Sequence, residues 1–275
     1  MADDEVGTDE VFIDFSQEEL VVLARLLSRP EHVDDLSDEL VRAARRSLLA
    51  RHVVVAEDGN DRIAEPIDLL LATIWDPALV GRSWSRVGDV LERRTFGGRP
   101  EVGVEQYAVD DGVVRLVPFA VEELLVRMLL HAGLAERPLD VTDELSVAWT
   151  PLVEAAELAR SGDETRATDV LRASGVDERG AAAFCRALAQ ALAFAGAAVL
   201  IRDADDAVSG RELAWLDGGE HGLWLVPVAL ARVLCFEADD PFDEVPETCV
   251  VAPVDAARIA SEFYAYLPVV PASDG

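Results

Sequence analysis

The sequence contains no lysine, because all 24 of its basic residues are arginine. A Walker-type phosphate loop and a Schiff-base enzyme both need a lysine, so these two classes are excluded. The dinucleotide motif GxGxxG, the nucleophile elbow GxSxG and the metalloprotease motif HExxH are also missing. The sequence therefore predicts a protein that is not an enzyme, unless a pocket of carboxylates forms only in the fold.

Histidine and cysteine are scarce. None of the four histidines has a second histidine or cysteine at metal-ligand spacing, which predicts no metal and no cofactor. The three cysteines, Cys185, Cys235 and Cys249, are an odd number and cannot all pair within one chain. Each has apolar neighbours in the sequence, so we expect three small, buried, unpaired side chains.

Long apolar runs are also lacking, since none reaches the roughly 18 residues of a membrane span. Residues 1–10 are acidic and have neither the basic nor the apolar region of a signal peptide. Half of the residues (51%) are hydrophobic, enough to build a core and exclude a disordered chain. These features predict a soluble cytoplasmic protein with no membrane insertion.

Acidic residues are abundant, and the net charge is −29. Neutralising phosphate groups needs a basic surface, so this charge disfavours nucleic acid as a partner. The absence of lysine together with many alanines, arginines and aspartates suggests a GC-rich genome, such as that of an actinobacterium. A halophilic host would explain the acidity equally well.

The pattern of helices and hairpins predicts an α+β fold. Ser16 and Glu19 have the spacing of a capping box at the start of a helix. Residues 104–109 and 113–117 alternate as two strands around a turn at Asp111 and Gly112. We also predict one long helix over residues 178–195. Antiparallel hairpins between helices favour α+β over a parallel doubly wound sheet.

The second half of the sequence repeats features of the first. Val117-Pro118 and Val226-Pro227 each end a predicted strand and lie 109 residues apart. A strand, a proline and a helix also close both halves, at residues 116–130 and 250–267. We therefore expect a duplicated unit with pseudo-twofold symmetry. Its halves would be residues 1–135 and 136–275, packed as one globular unit.

The N-terminal region allows an alternative function. Two helices, a strand and an acidic turn follow one another as in a winged helix, a regulatory or interaction module. Its candidate recognition helix, residues 37–51, carries four arginines: Arg42, Arg45, Arg46 and Arg51. The competing interpretation is an ordinary helix with a solvated arginine face.

One stretch differs from the acidic background. Residues 82–99 contain five arginines but only two acidic residues, Asp89 and Glu92. Arginine and aromatic residues are enriched in binding hot spots, so we predict a partner-docking loop here. Its candidate contacts are Arg93, Arg94, Phe96, Gly97 and Gly98. The alternative is a long hairpin whose arginines pair with the protein's own acids.

Four segments resemble the EspG family of actinobacterial type VII (ESX) secretion chaperones. They are residues 40–55, 113–130, 212–226 and 250–267, in matching order and spacing. The resemblance implies a quasi-twofold fold, with a central antiparallel sheet and flanking helical bundles. It also implies a cytosolic chaperone that binds the helical tip of PE–PPE heterodimers, keeps them soluble and directs them to secretion. By position, residues 93–98 would lie in the family's long docking loop.

Overall fold

The computed structural model describes residues 11–29, 36–57, 59–139, 143–202, 207–235 and 247–267. The elements up to residue 131 are β1 (Ile13–Ser16), α1 (Gln17–Leu26), α2 (Asp38–Ala50), β2 (Val54–Glu57), β3 (Asn60–Ile63), α3 (Glu65–Trp75), β4 (Leu79–Val87), β5 (Val90–Arg99), β6 (Val102–Asp110), β7 (Val113–Phe119) and α4 (Leu124–His131). The later elements are β8 (Leu145–Ala148), α5 (Trp149–Arg160), α6 (Glu164–Ala173), α7 (Glu178–Ala189), β9 (Ala193–Arg202), β10 (Val208–Asp217), β11 (Leu223–Val226), α8 (Val228–Cys235), β12 (Thr248–Val254) and α9 (Ala256–Tyr264).

Ten strands form one antiparallel sheet, in the order β1-β7-β6-β5-β4-β9-β10-β11-β12-β8. Strands β2 and β3 form a separate two-stranded hairpin. Helices flank the ten-stranded sheet, so the predicted α+β class with a central antiparallel sheet is confirmed. Within the described part of the chain, no helix combines the length and apolar character that a membrane crossing requires.

The strand order repeats itself in the two halves of the chain. In each half the earliest strand pairs with the last one, β1 with β7 and β8 with β12. Ile13 and Leu145, which begin the two earliest strands, are 132 residues apart. Pro118 of β7 and Pro253 of β12 are 135 residues apart, and a helix follows each strand. The repeat therefore matches β7 to β12.

This correspondence corrects the sequence alignment of Val117-Pro118 with Val226-Pro227, because Pro227 follows β11. Proline lacks the N–H that a ladder needs, so it occurs near strand ends whether or not the strands are equivalent.

Local signals account for several elements. The Ser16 Oγ accepts a hydrogen bond from the Glu19 backbone N–H at 3.2 Å. The Glu19 carboxylate in turn accepts the Ser16 backbone N–H at 3.1 Å, which confirms the capping box. Strands β6 and β7 pair around a turn in which Gly112 has a φ of +75°, as the hairpin prediction expected.

The long helix predicted over residues 178–195 is wrong at its C-terminal end. Helix α7 ends at Ala189, and β9 begins at Ala193 and pairs with β10 along its whole length. The Leu192 backbone N–H donates to Asp217 O at 2.8 Å, which joins the chain to the sheet just before β9. An unbroken apolar run fits a buried helix or a buried strand equally well, so periodicity did not locate this boundary.

The described residues form two compact units. One consists of Met1–Val80 and Thr95–Leu124 where they are described, and the other of Gly81–Arg94 and Leu125–Gly275 where they are described. The first unit has its core between α1, α2, α3 and the strands β1, β6 and β7, with Phe15, Leu23, Leu48 and Leu116 fully buried. The predicted division at residue 135 concerns the repeat and stays a prediction.

The second unit packs α5, α6, α7 and α8 against the strands β8 to β12. Phe184 and Trp224 meet in its core, with ring centroids 5.2 Å apart. All three cysteines are buried and unpaired, as predicted. Burial raises the pKa of the Cys185 and Cys235 thiols to about 11, so both are protonated and unreactive at neutral pH.

Candidate partner-binding site on the β4–β5 hairpin

The five predicted contact residues all lie in strand β5, so their expected position in a loop is wrong. Residues 82–99 instead build the long hairpin of the alternative interpretation, with its turn at Gly88 and Asp89. Two consecutive glycines suggested a turn, but Gly97 and Gly98 pair in register with Val104 and Gly103 of β6. Glycine here gives space to neighbouring atoms instead of turning the chain.

The end of β5 belongs to the core of the first unit. Phe96 is fully buried and packs edge-to-face on Phe119, with ring centroids 6.4 Å apart. A Cβ at position 97 would overlap the backbone carbonyl oxygen of Thr73. A Cβ at position 98 would lie 3.3 Å from the side chains of Val121 and Leu124. These three residues therefore pack the strand, whereas Arg93 is exposed and Arg94 half-buried.

The far end of the hairpin, residues 87–90, we call the hairpin tip. Val87 and Val90 flank the turn and are 60% and 61% exposed. Gly88 has a φ of +58°, which an L-residue rarely adopts, and the side chain of Asp89 is fully exposed. Scattered surface valines are ordinary, but two that flank one turn form an apolar spot that a partner can cover.

Arg86 fixes the hairpin tip to the end of helix α8. Its Nε donates to Gly88 O at 3.1 Å, and its Nη1 donates to Cys235 O at 2.6 Å. Arg160 Nη1 donates to the preceding carbonyl, Leu234 O, at 3.0 Å. The last four carbonyls of a helix have no partner within it, and the two arginines bind two of them in α8.

A buried histidine supports the hairpin in the second unit. Ser83 of β4 and the Nδ1 of His131 in α4 are hydrogen-bonded at 2.6 Å, and Ser83 is 2% exposed. Burial, helped by the positive charge of Arg94, lowers the pKa of His131 to about 4. Its Nε2 lies 3.6 Å from the Glu92 carboxylate, too far for a hydrogen bond.

The ring of His131 is therefore neutral near pH 7. The Ser83–His131 pair also cannot act as an open nucleophile and base, since Ser83 is shielded from solvent.

The candidate recognition helix of the alternative function is α2, and the hairpin β2–β3 follows it as a wing would. Arg45 makes a two-pronged ion pair with Asp61 of β3, one bond of which is 2.7 Å long. Arg51 binds the buried Glu19 at 2.9 Å, and Arg46 Nε donates to Arg42 O at 3.3 Å. Arg45 and Arg51 therefore link this helix to β3 and α1, whereas the bond of Arg46 lies within α2. The competing interpretation, a solvated arginine face, did not expect these ion pairs.

Two small clefts occur in the second unit. One, of about 110 Å³, lies beside His221, Trp224 and Pro138. The other, of about 200 Å³, lies beside Arg86, Arg160 and Phe194. Both are smaller than the roughly 300–1,000 Å³ of typical small-molecule sites. In the described ranges no three histidine, cysteine or carboxylate side chains cluster as a metal site would require.

No protein-family model matches the sequence, and no curated protein matches it. The fold is similar to that of a solved structure, the Mycobacterium tuberculosis type VII secretion system chaperone EspG5 in complex with a PE25-PPE41 dimer. The TM-score is 0.61 at 14% sequence identity, and the match covers 94% of this chain and 98% of that one. An EspG-like fold therefore extends over nearly the whole chain.

Proposed function

We propose that this protein is a non-enzymatic cytoplasmic chaperone of type VII secretion, which binds a helical PE–PPE-type heterodimer, keeps it soluble and directs it to export. The observation that carries the proposal is the EspG5-like fold over 94% of the chain, since EspG5 was solved with a PE25-PPE41 dimer. The absence of enzyme motifs agrees with this role, as do the protonated thiols of Cys185 and Cys235 and the shielded Ser83.

The docking surface in this proposal is the hairpin tip together with the adjoining part of β5. Val87 and Val90 cover apolar groups of the partner, and Arg93 and Arg94 contact its polar rim. Phe96, Gly97 and Gly98 contribute indirectly, because their packing fixes the strand that presents the two arginines. Release of the partner returns the free chaperone.

The test is co-expression with a PE–PPE pair encoded in the same genome, followed by affinity measurement on the purified complex. We expect a stable complex, and we expect Val87→Ser combined with Val90→Ser to weaken it about tenfold or more, because each valine would bury apolar area. Val208→Ser is the matched control, since Val208 is a similarly exposed strand valine at 62%.

The proposed function is wrong if no cognate PE–PPE pair forms a complex with the wild-type protein. If a complex forms but the hairpin and control variants bind equally well, the partner is right and the docking surface is wrong.

A further inference from the structure

The larger of the two clefts combines two arginines with an apolar wall. Arg86 and Gly88 line it from the hairpin, and Arg160 lines it from the end of α5. Leu188, Leu192 and Phe194 form the rest of its wall, from the end of α7 to the start of β9. All of these residues belong to the second unit. We call this feature the Arg86–Arg160 cleft.

The two guanidinium groups are held in place by neutral acceptors. They donate to successive carbonyls of α8, Arg160 to Leu234 O and Arg86 to Cys235 O, so both cations lie at one end of this helix. The Arg160 guanidinium also lies over the Phe194 ring, 5.9 Å from its centroid. Side chains ordered in this way lose little further entropy when they bind a ligand.

The cleft is positively charged on a strongly acidic protein. The carboxylate of Asp89 lies 3.9 Å from Arg86 and its side chain is fully exposed, so it compensates little of the charge. No described carboxylate lies within ion-pair distance of Arg160, which contacts the Leu234 carbonyl and the Phe194 ring. A guanidinium has five N–H donors, and these contacts leave several of them available on both arginines.

We propose that the Arg86–Arg160 cleft binds a carboxylate side chain, an aspartate or glutamate, of the protein partner. The planar fork of arginine matches the two oxygens of a carboxylate, and the cleft volume of about 200 Å³ suits one side chain and not a cofactor. Because Gly88 belongs both to the cleft and to the hairpin tip, a partner covering the tip has its side chains beside the cleft.

This inference rests on the proposed function for the identity of the partner, but the carboxylate site itself does not. A net charge of −29 repels acidic partners over most of the surface. An acid on the partner is then favoured where it meets the cleft, which helps to fix the register of docking.

The test uses the full-length protein labelled with ¹⁵N and the Nε–H resonances of Arg86 and Arg160, assigned through Arg86→Lys and Arg160→Lys. The probe is the peptide acetyl-Ala-Glu-Glu-Ala-amide, and acetyl-Ala-Gln-Gln-Ala-amide is its uncharged match. We expect saturable shifts of both resonances with the glutamate peptide only. Arg160→Gln should weaken this binding about tenfold.

Arg232→Gln is the control variant, because Arg232 is a half-exposed arginine already paired with Glu212, and it should leave peptide binding unchanged. The proposal is overturned if neither resonance shifts, or if both peptides shift them equally. It is also overturned if the shifts appear only after Glu237, Asp239, Asp240, Asp243 and Glu244 are changed to amides. In that case the chain's own acids, which follow Cys235 in the sequence, occupy the cleft.

The same protein, tested with the PE–PPE heterodimer, separates the two proposals. Peptide binding without heterodimer binding supports the carboxylate site and contradicts the partner. Heterodimer binding that Arg160→Gln leaves unchanged, with no peptide shift, contradicts the carboxylate site alone.

Discussion

Phe96 distinguishes a packing role of β5 from a docking role. Phe96→Ala removes a fully buried ring together with its edge-to-face contact on Phe119. Such a change typically costs about 3–5 kcal/mol, because apolar surface is lost and a cavity remains. Against a total stability of roughly 5–15 kcal/mol, this is a large fraction. For a chain of this size it corresponds to a fall in Tm of roughly 6–20 °C.

Urea unfolding followed by circular dichroism measures the free energy of unfolding, and a binding assay at low temperature measures the folded fraction's affinity for the partner. We expect Phe96→Ala to unfold at lower urea but, while folded, to bind nearly as well as the wild type. Arg93→Gln should unfold at the same urea concentration as the wild type but bind the partner more weakly, since Arg93 is exposed. A Phe96→Ala protein that loses less than about 1 kcal/mol but no longer binds would refute the buried position of this ring.

Three further changes test packing and electrostatics. Gly97→Ala should destabilise the fold by about 2 kcal/mol or more in urea unfolding, because its Cβ overlaps the Thr73 carbonyl. The pKa of His131 is lowered from 6.5 to about 4, so the unfolded chain binds this proton first as the pH falls. Stability should therefore drop between about pH 6.5 and 4, by up to about 3 kcal/mol, and His131→Gln should remove that part of the loss. Arg137→Gln leaves the buried Asp217 without its two-pronged partner and should cost about 3 kcal/mol.

The glycine and arginine changes each have a matched control. Gly98→Ala places its Cβ 3.3 Å from movable side chains, so it should cost less than Gly97→Ala. Arg232→Gln breaks an ion pair whose two side chains are 45% and 37% exposed, and it should cost less than about 1 kcal/mol. If Gly97→Ala and Gly98→Ala lower the free energy of unfolding equally, the burial of Gly97 is contradicted. Equal losses for Arg137→Gln and Arg232→Gln would likewise contradict the burial of Asp217. If the stability of His131→Gln falls with pH as that of the wild type does, the acid sensitivity comes from other groups.

The sequence predicted those parts of the fold that short-range chemistry determines. The capping box of Ser16 and Glu19 and the turn at Gly112 depend on residues within a few positions of each other, and both are present. The end of α7 was not predictable in this way, because it depends on the pairing of β9 with β10. Gly97 was misread for a similar reason, since the Thr73 carbonyl that requires a glycine there is distant in sequence.

The candidate site was only partly predictable. The excess of arginine in residues 82–99 correctly singled out one structural element, the β4–β5 hairpin. The role of Arg86 was not visible, because its acceptor, Cys235 O, lies 149 residues further along the chain. Burial of Phe96 likewise follows only from the register of β5 on β6 and from the packing of the first unit.

Hydrogen exchange of the protein with and without a PE–PPE heterodimer from the same genome tests the central claim most directly. Mass spectrometry of peptides covering residues 82–95 reports the backbone of the hairpin tip and the adjoining part of β5. The account predicts a stable complex in which exchange in these peptides slows, while peptides covering residues 37–51 of α2 are unchanged. No complex, or a complex that leaves the hairpin unprotected, would contradict it.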